Sequence, residues 1–259
     1  MGKKNKGLQA FENYYSQIFG ERWEVLKTAL TSEKKHQSFR YDSSCPEYFL
    51  DQASIVAADS LGIVAGDSVL DLCAAPGGKS LILSQYLGEN GSLVSNDRSA
   101  NRRNRLIRVL DQHLPEEVRS KVTVTGHDAC TWCQHQTEEF DRILLDAPCS
   151  SERHLLERPQ RLDDWALGRS KRLAVTQWSI LSSAFLVLKS GGHLVYSTCA
   201  LSPLENDGVI EKLYKKYEGR FEICSEQIEG GESTEYGKLF LPDNGGHGPL
   251  FISKIKKLS

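Results

Sequence analysis

The sequence predicts an α/β fold with a mostly parallel, seven-stranded sheet, helices on both faces and an antiparallel C-terminal strand. Two observations predict it. From Asp67 onward, short apolar segments alternate with segments of helical periodicity, and a glycine turn joins the first apolar segment to the next helix. Such alternation is typical of a parallel sheet covered on both faces. Ligands of these sheets bind at the carboxyl ends of the strands.

The elements follow one another in a regular order. Strands are predicted at 69–72, 92–95, 122–125, 143–145, 194–197, 239–241 and 250–255. Helices are predicted at 100–110, 170–188 and 205–217, and Gly191 and Gly192 are expected to stop the second. Aromatic residues from Leu8 to Leu30 recur at helical spacing. Residues 1–60 are therefore predicted to be a helical extension packed on a larger domain, 61–259.

Composition bounds the class of protein. The chain has 259 residues, 39% of them hydrophobic, which is enough for a sizeable core. No apolar run approaches the length of a membrane span, so a soluble protein without a membrane partner is predicted. A net charge of −2 excludes a globally basic nucleic-acid binder, and contact with nucleic acid would need a local patch.

The start of the chain and its cysteines indicate the compartment. Residues 1–7 are basic with no apolar stretch behind them, which is not a secretory signal. The seven cysteines are scattered, as expected for free thiols in a reducing compartment. We expect the cytoplasm for a bacterial source and the mitochondrion for a eukaryotic one, with the cytoplasm preferred.

The glycine turn at 71–80, DLCAAPGGKS, is the first candidate binding site. Gly77 and Gly78 allow positive φ and close approach of a ligand to the main chain. The following helix would present free amides at its N-terminus. Asp71 at the strand end suits a ligand with a cationic or hydroxyl group.

Two ligand classes fit this turn. For a nucleoside triphosphate, Gly78, Lys79 and Ser80 match a phosphate-binding loop, and 140–146 imitates a strand that ends in a magnesium-binding acid. However, Cys73 stands where that loop requires its first glycine. The alternative is S-adenosyl-L-methionine, which the downstream acids and cysteines favour.

Acidic residues follow the next two strands. Asp97 lies 26 residues after Asp71 and is placed to accept both hydroxyls of a ribose, with a helix N-cap as the alternative role. Arg102, one turn into the next helix, faces either the ligand or solvent. Asp128, after the third strand, is expected near an adenine ring, unless it is an unused loop carboxylate.

Two thiols are predicted at adjacent strand ends. Asp146, Ala147, Pro148 and Cys149 end the fourth strand, and Cys199 ends the fifth. A thiolate is a strong nucleophile toward an electron-poor ring carbon, and a neighbouring acid can bind the ring edge. A lone cysteine is common in a core, but the pair with Asp146 indicates covalent activation of a pyrimidine. The residues alone do not order the two thiols.

The remaining cysteines, histidines and basic residues bear on metal and RNA binding. Cys130, Cys133 and the seven histidines show no metal-site spacing, so no metal is predicted. One arginine group, Arg98, Arg102, Arg103, Arg105 and Arg108, fits a solvated helix face. A second group, Arg153, Arg158, Arg161, Arg169, Lys171 and Arg172, is the better candidate for phosphate contact, with Lys254, Lys256 and Lys257 as a candidate extension.

These motifs resemble the Sun/RsmB-type family of RNA cytosine-5 methyltransferases. Residues 71–79 match the family's cofactor motif without gaps, and 146–149 and 198–206 match its two cysteine motifs in order. The resemblance covers nearly the whole chain. Segments 11–23, 146–155 and 248–251 look most like the short mitochondrial members, which modify ribosomal or transfer RNA.

The resemblance implies a fold, an activity and residue roles. It implies a Rossmann-like fold with 61–259 as the methyltransferase domain, and S-adenosylmethionine-dependent methylation of cytosine carbon 5, on ribosomal RNA or alternatively transfer RNA. Cofactor contacts would come from Cys73, Ala74, Ala75, Pro76, Gly77, Gly78, Lys79, Asp97, Arg102, Asp128 and Asp146. Cys199 would be the nucleophile, Cys149 would assist product release, and Asp146 would also touch the base.

Other functions and partners stay open. A P-loop nucleotide hydrolase is one rival, and a non-catalytic RNA-binding or ribosome assembly factor with the same fold is another. The expected partner is RNA. Because basic character is modest and no extra RNA-binding domain is visible, a helper protein or a preassembled ribosomal particle is expected to supply specificity.

Overall fold

A nine-stranded sheet lies at the centre of the structure, a computed structural model that describes residues 6–33 and 35–259. Of the basic segment 1–7, residues 1–5 lie outside the described residues. The strands are β1 (His36–Phe39), β2 (Tyr48–Asp51), β3 (Ser68–Asp71), β4 (Ser92–Asn96), β5 (Val122–Thr125), β6 (Phe140–Asp146), β7 (Leu188–Thr198), β8 (Phe221–Ile223), β9 (Glu232–Ser233), β10 (Lys238–Phe240) and β11 (Leu250–Lys257).

Helices alternate with the strands. They are α1 (Lys6–Phe19), α2 (Arg22–Thr31), α3 (Gln52–Asp59), α4 (Gly78–Ser84), α5 (Ala100–His113), α6 (Glu116–Arg119), α7 (Glu152–Leu156), α8 (Leu167–Val187) and α9 (Asp207–Lys216). None of the described helices has the length and apolar character needed to cross a membrane.

The strand order places the candidate residues at one edge. Five strands are parallel in the order β5-β4-β3-β6-β7, and β11, β10 and β9 continue the sheet antiparallel. Because parallel strands end at a common edge, Asp71, Asp97, Asp146 and Cys199 all lie there. β1 and β2 form a separate antiparallel pair.

The predicted fold class is confirmed, with two corrections. The sheet has nine strands rather than seven, because β8 and β9 are only three and two residues long and carry little pattern. Gly191 and Gly192 do not stop the long helix. That helix ends at Val187, and the glycines lie inside β7, near an irregularity in its pairing with β6.

Both faces of the sheet are buried by helices. Successive residues of a strand point to opposite faces. Ile143 and Leu145 of β6 join a cluster with α8 and α9, whereas Leu144 joins a second cluster with α3, α4 and α5. This double burial explains why the central strands are continuous apolar runs.

The two N-terminal helices pack against the loops that follow β6 and β7. Gly20, with φ +58°, separates α1 from α2. Phe11, Tyr15 and Trp23 form one buried cluster with Trp165 and with Leu201, which follows Cys199. The division into 1–60 and 61–259 stays a prediction.

Candidate active site

The turn between β3 and α4 brings the main chain against its neighbours. Gly77 has φ +121°, and a Cβ there would lie 3.1 Å from Leu106 Cδ1 of α5. A Cβ on Gly78 would lie 2.8 Å from Tyr48 Cε1 of β2. Both positions therefore require glycine, one for its backbone conformation and its neighbours and the other for space.

Asp71 is a buried acid beneath this turn. It is 1% exposed, and Ser80 Oγ donates a hydrogen bond to its Oδ2 at 2.7 Å. Its Oδ1 is buried and accepts no hydrogen bond from any residue the structure describes. Burial raises the pKa of Asp71 to about 7; the Ser80 hydrogen bond and Lys79 oppose the rise, and Asp146 and Asp97 add to it.

We expect Asp71→Asn to flatten the pH dependence of stability. Because the folded pKa of Asp71 is about 7 against 3.8 ordinarily, the folded protein keeps a proton that the unfolded chain loses. Its contribution to stability is complete below pH 3.8 and is lost as pH rises to about 7. Between pH 5 and 8 the free energy of unfolding of the wild type should fall by on the order of a few kcal/mol more than that of the variant. Urea unfolding of the free protein measures both. Asp164→Asn, at an exposed carboxyl, should follow the wild type. Parallel curves for the wild type and Asp71→Asn would contradict the expectation.

Asp97 and Arg102 line a second part of the edge. Asp97 is 3% exposed, and its Oδ1 accepts from the Ser99 amide at 2.9 Å. Its buried Oδ2 accepts no hydrogen bond from a described residue, although Arg102 Nη2 lies 3.3 Å away. Arg102 also donates to Ala75 O at 2.6 Å. The guanidinium therefore faces the candidate site, where sequence left its direction open.

Asp128 lies at the same cavity as Asp97. The cavity has a volume of about 430 Å³, and its walls include Cys73, Asp97, Arg102 and Asp128. Asp128 Oδ1 accepts from the Cys130 amide at 3.0 Å, and Oδ2 pairs with Arg98 at 3.0 Å. The unused acceptor on Asp97 and the partly used carboxylate of Asp128 suit the hydroxyl and amino groups of a nucleoside.

Lys79 and Asp146 form an ion pair between this turn and β6. Lys79 Nζ lies 2.7 Å from Asp146 Oδ2, and Ser197 Oγ donates to Oδ1 at 3.0 Å. Burial lowers the pKa of Lys79, but the Asp146 carboxylate outweighs it and the net pKa is raised, so the ammonium stays charged. The walls of a recess of about 110 Å³ include Asp71, Cys73, Ala74, Ala75, Pro76, Gly78, Lys79 and Asp146, whereas Gly77 does not line it.

The two predicted thiols are brought together. Cys149 Sγ and Cys199 Sγ are 3.0 Å apart, and Ser151 Oγ lies 3.1 Å from Cys199 Sγ. Hydrogen bonds from Cys149 and Ser151 lower the pKa of Cys199 in spite of its burial. The pKa of Cys149 is raised well above its usual value by the Cys199 sulfur and by burial. Ser151 Oγ also lies 3.6 Å from Cys149 Sγ, so the hydroxyl is nearer to Cys199 than to Cys149.

Buried acids behind the thiols are functional candidates that sequence reasoning missed. Glu152, fully buried, accepts from Tyr15 OH at 2.6 Å, from the Leu201 amide at 2.9 Å and from Ser150 Oγ. It thereby joins α1 to both cysteine loops. Its only sequence signal is its position three residues after Cys149.

Glu205 is the second of these acids. One of its oxygens, Oε2, accepts from the Ser150 amide at 2.9 Å and from Gln177 Nε2 at 3.0 Å. Gln177, in α8, also donates to Pro148 O at 2.9 Å. The loop that carries Cys149 is therefore held from α8 and from the segment after Cys199.

A larger cavity opens in front of the thiols. Its volume is about 670 Å³, and its walls include His36, Asp51, Lys79, Arg102, Asp146, Cys149, Ser151, Arg153, His154 and Cys199. Of the second basic group, Arg153 reaches it, while Arg158, Arg161, Arg169, Lys171 and Arg172 are exposed at the surface.

The proposed extension by Lys254, Lys256 and Lys257 is wrong. β11 runs antiparallel to β7, so Lys254 pairs with Val195 and Lys256 with His193, toward the opposite edge of the sheet. Lys257 is 2% exposed and donates to Leu188 O at 2.7 Å. Within 6–33 and 35–259, no three His, Cys, Asp or Glu side chains gather as a possible metal site.

The chain is similar in sequence to known proteins. A family model described as 16S rRNA methyltransferase RsmB/F matches residues 58–256. The 5-cytosine rRNA methyltransferase NSUN4 of Bos taurus is 38% identical over 198 residues, covering 75% of this chain and 50% of that protein. The mitochondrial tRNA (cytosine(34)-C(5))-methyltransferase of Danio rerio is 34% identical over 224 residues, covering 82% of this chain and 60% of that protein.

A solved structure shares the fold at lower sequence identity. The crystal structure of NSun6 from Pyrococcus horikoshii with SFG has a TM-score of 0.71 and 28% sequence identity. The match covers 82% of this chain and 53% of that chain. The chain thus spans about half the length of the curated relatives and of the structure that it matches.

Proposed function

Because this chain belongs to the RsmB/F family of 16S rRNA methyltransferases, we propose that it methylates carbon 5 of a cytosine in RNA, with ribosomal RNA as the substrate. The family match confirms the resemblance that the motifs predicted. One observation carries the proposal: two thiols 3.0 Å apart lie in one cavity with the carboxylate of Asp146. This arrangement suits covalent attack on a pyrimidine ring.

The cofactor proposed for this reaction is S-adenosylmethionine, which when bound supplies the methyl group that carbon 5 receives. Two buried, unused acceptors fit it: Asp71 Oδ1 toward its cationic end and Asp97 Oδ2 toward its ribose. The loop of residues 73–79 would hold the methionine part, with Arg102 beside the ribose and Asp128 on the adenine side.

Cys199 would carry the covalent step. The target cytosine leaves its stack to enter the cavity. The Cys199 thiolate adds to carbon 6, and the ring electrons make carbon 5 nucleophilic. Asp146, held by Lys79 and Ser197, keeps lone pairs free to accept from the base amino group. A carboxylate fixed in this way orients the ring without moving itself.

Product release would use the second thiol. A base takes the proton from carbon 5, the electrons of that C–H bond restore the double bond between carbons 5 and 6, and the carbon 6–sulfur bond breaks to expel the Cys199 sulfur as a thiolate. The Cys149 thiol lies 3.0 Å away and hydrogen-bonds the departing sulfur. A protonated Cys149 beside an ionised Cys199 agrees with the opposite directions of their pKa shifts.

Ribosomal RNA is the first candidate for the substrate. Transfer RNA is the second candidate, since the relative from Danio rerio is named as a tRNA methyltransferase. Specificity would come from a helper protein or a preassembled ribosomal particle. The location would be the cytoplasm of a bacterial source or the mitochondrion of a eukaryotic one.

The test is product analysis. Three reactions each contain the protein, S-adenosylmethionine and one substrate: small ribosomal subunits, naked ribosomal RNA or transfer RNA. In each, 5-methylcytidine is quantified after nuclease digestion. We expect product from one ribosomal substrate. RNA binding without product would favour the assembly factor. Thermal stabilisation by ATP but not by S-adenosylmethionine would favour the nucleotide hydrolase.

A further inference from the structure

One cation of the large cavity has no acid partner among the described residues. Of these residues, three Lys or Arg side chains line the cavity in front of the thiols: Lys79, Arg102 and Arg153. Lys79 is paired with Asp146 at 2.7 Å and Arg102 with Asp97 at 3.3 Å. Arg153 forms no ion pair with any acid among the described residues. Its charge is therefore available to a ligand.

Arg153 is also nearly buried. It is 8% exposed, and its Nε is buried without an acceptor in the described part of the chain. Its Nη2 makes a long hydrogen bond of 3.4 Å to Ala29 O at the end of α2. Burial lowers the pKa of Arg153, because desolvation of its charge is incompletely offset by Asp51 and Glu157. An arginine nevertheless stays protonated at neutral pH.

The neighbouring acid of the cavity is already engaged. Asp51 accepts from the Ala53 amide at 2.8 Å, as the cap of α3, and from the Gly248 amide at 3.1 Å. These bonds hold β2, α3 and the loop before β11 together. Asp51 therefore has a structural task, and no acid in the described part of the chain lies within hydrogen-bond reach of the Arg153 guanidinium.

We infer that Arg153 anchors a subsite for the phosphate that adjoins the target cytidine. The guanidinium fork matches two phosphate oxygens, and His36 and His154 line the same cavity as further donors. A volume of about 670 Å³ falls in the range, about 300–1,000 Å³, of sites that enclose whole small molecules, so a nucleotide fits rather than a base alone. The inference rests on the proposed function, since it assumes that RNA enters this cavity.

The carboxylate of the cofactor is another anion that Arg153 could bind in place of an RNA phosphate. The recess formed by the cofactor loop, about 110 Å³, does not include Arg153. If Arg153 binds an RNA phosphate, a nucleotide should bind more tightly than its nucleoside even when the cofactor site is already filled.

The test is protection of Cys199 from iodoacetamide, followed by mass spectrometry of its peptide. The full chain is saturated with S-adenosylhomocysteine, and its binding is checked by thermal stabilisation. Cytidine, 5′-CMP, 3′-CMP and inorganic phosphate are titrated at constant ionic strength. We expect one of the two nucleotides to protect at about tenfold lower concentration than cytidine, as a charged hydrogen-bonded pair would provide.

The variants assign this advantage to one side chain. In Arg153→Gln the advantage should fall below about twofold, whereas Arg153→Lys should keep part of it. The control Arg105→Gln, at an exposed site of α5, should keep it entirely. Because the ratio is measured within one variant, it does not depend on the fraction that is folded.

Two results would overturn the subsite. The first is equal protection by cytidine and both nucleotides, or no protection by any of them, in wild-type protein with S-adenosylhomocysteine bound. The second is an advantage that survives in Arg153→Gln. Neither result bears on whether RNA is methylated, because the 5-methylcytidine assay measures that separately.

Discussion

Replacement of Cys199 by serine is expected to abolish formation of 5-methylcytosine, by about 10⁴-fold or more, as loss of a covalent nucleophile commonly does. The reason is ionisation. Two hydrogen bonds lower the pKa of the Cys199 thiol, whereas a serine hydroxyl at the same place would stay neutral. The measurement is single-turnover methylation of the RNA substrate with excess enzyme, together with a denaturing gel for RNA-linked protein.

The same gel orders the two thiols. Cys149→Ser should accumulate an RNA-linked band, because addition by Cys199 still occurs while release is slowed. Cys199→Ser should show no band, and Cys224→Ser, which alters a buried cysteine outside the cavities of the site, should behave as wild type. A band that disappears only in Cys149→Ser would reverse the roles. No band in any variant on an RNA that is methylated would exclude a long-lived covalent intermediate.

Glu152→Ala should lower the free energy of unfolding by about 3 kcal/mol or more, since it removes a buried, hydrogen-bonded acid. The change leaves Tyr15 OH, Ser150 Oγ and the Leu201 amide without their acceptor. Because these donors belong to α1 and to both cysteine loops, the thiols should also lose their alignment. Urea unfolding measures the first effect, and the rate of Cys199 alkylation measures the second.

A matched change at the surface provides the control. Glu89→Ala, at an exposed site, should alter stability by no more than about 0.5 kcal/mol. Tyr15→Phe removes one of the three donors to Glu152 and should produce a smaller loss than Glu152→Ala. If Glu152→Ala unfolds like the Glu89 control and its Cys199 reacts at the wild-type rate, Glu152 does not hold the site.

Much of the site follows from local pattern. Asp71, Asp97, Asp146 and Cys199 each come directly after an apolar strand or end it, and the carboxyl ends of parallel strands meet. Their proximity could therefore be predicted without coordinates. The role of the two glycines was also predictable, because a strand–turn–helix unit needs glycine for its backbone conformation and its close contacts.

Distant contacts were not predictable in this way. Tyr15 and Glu152 are 137 residues apart, and no periodicity relates them. The wrong prediction for the lysines of β11 shows the same limit. A run of basic residues does not indicate at which edge of the sheet an antiparallel strand will place them. Arg153 resembled five other basic residues in sequence, and only its burial at the cavity distinguishes it.

The sequence by itself determined the α/β class, the edge of the sheet that carries the site, and the presence there of two thiols, an acid and a glycine turn. Only the tertiary structure decided how close the two thiols lie, which acids support the two loops, and which arginine of the cavity lacks an acid partner among the described residues. The physical reason is that the alternation of apolar strand segments with helical segments is local in sequence, and that parallel strands bring their carboxyl ends together. Ionisation and pairing depend instead on burial and on the hydrogen bonds from Ser151 and Cys149 to Cys199, which arise after the chain has folded.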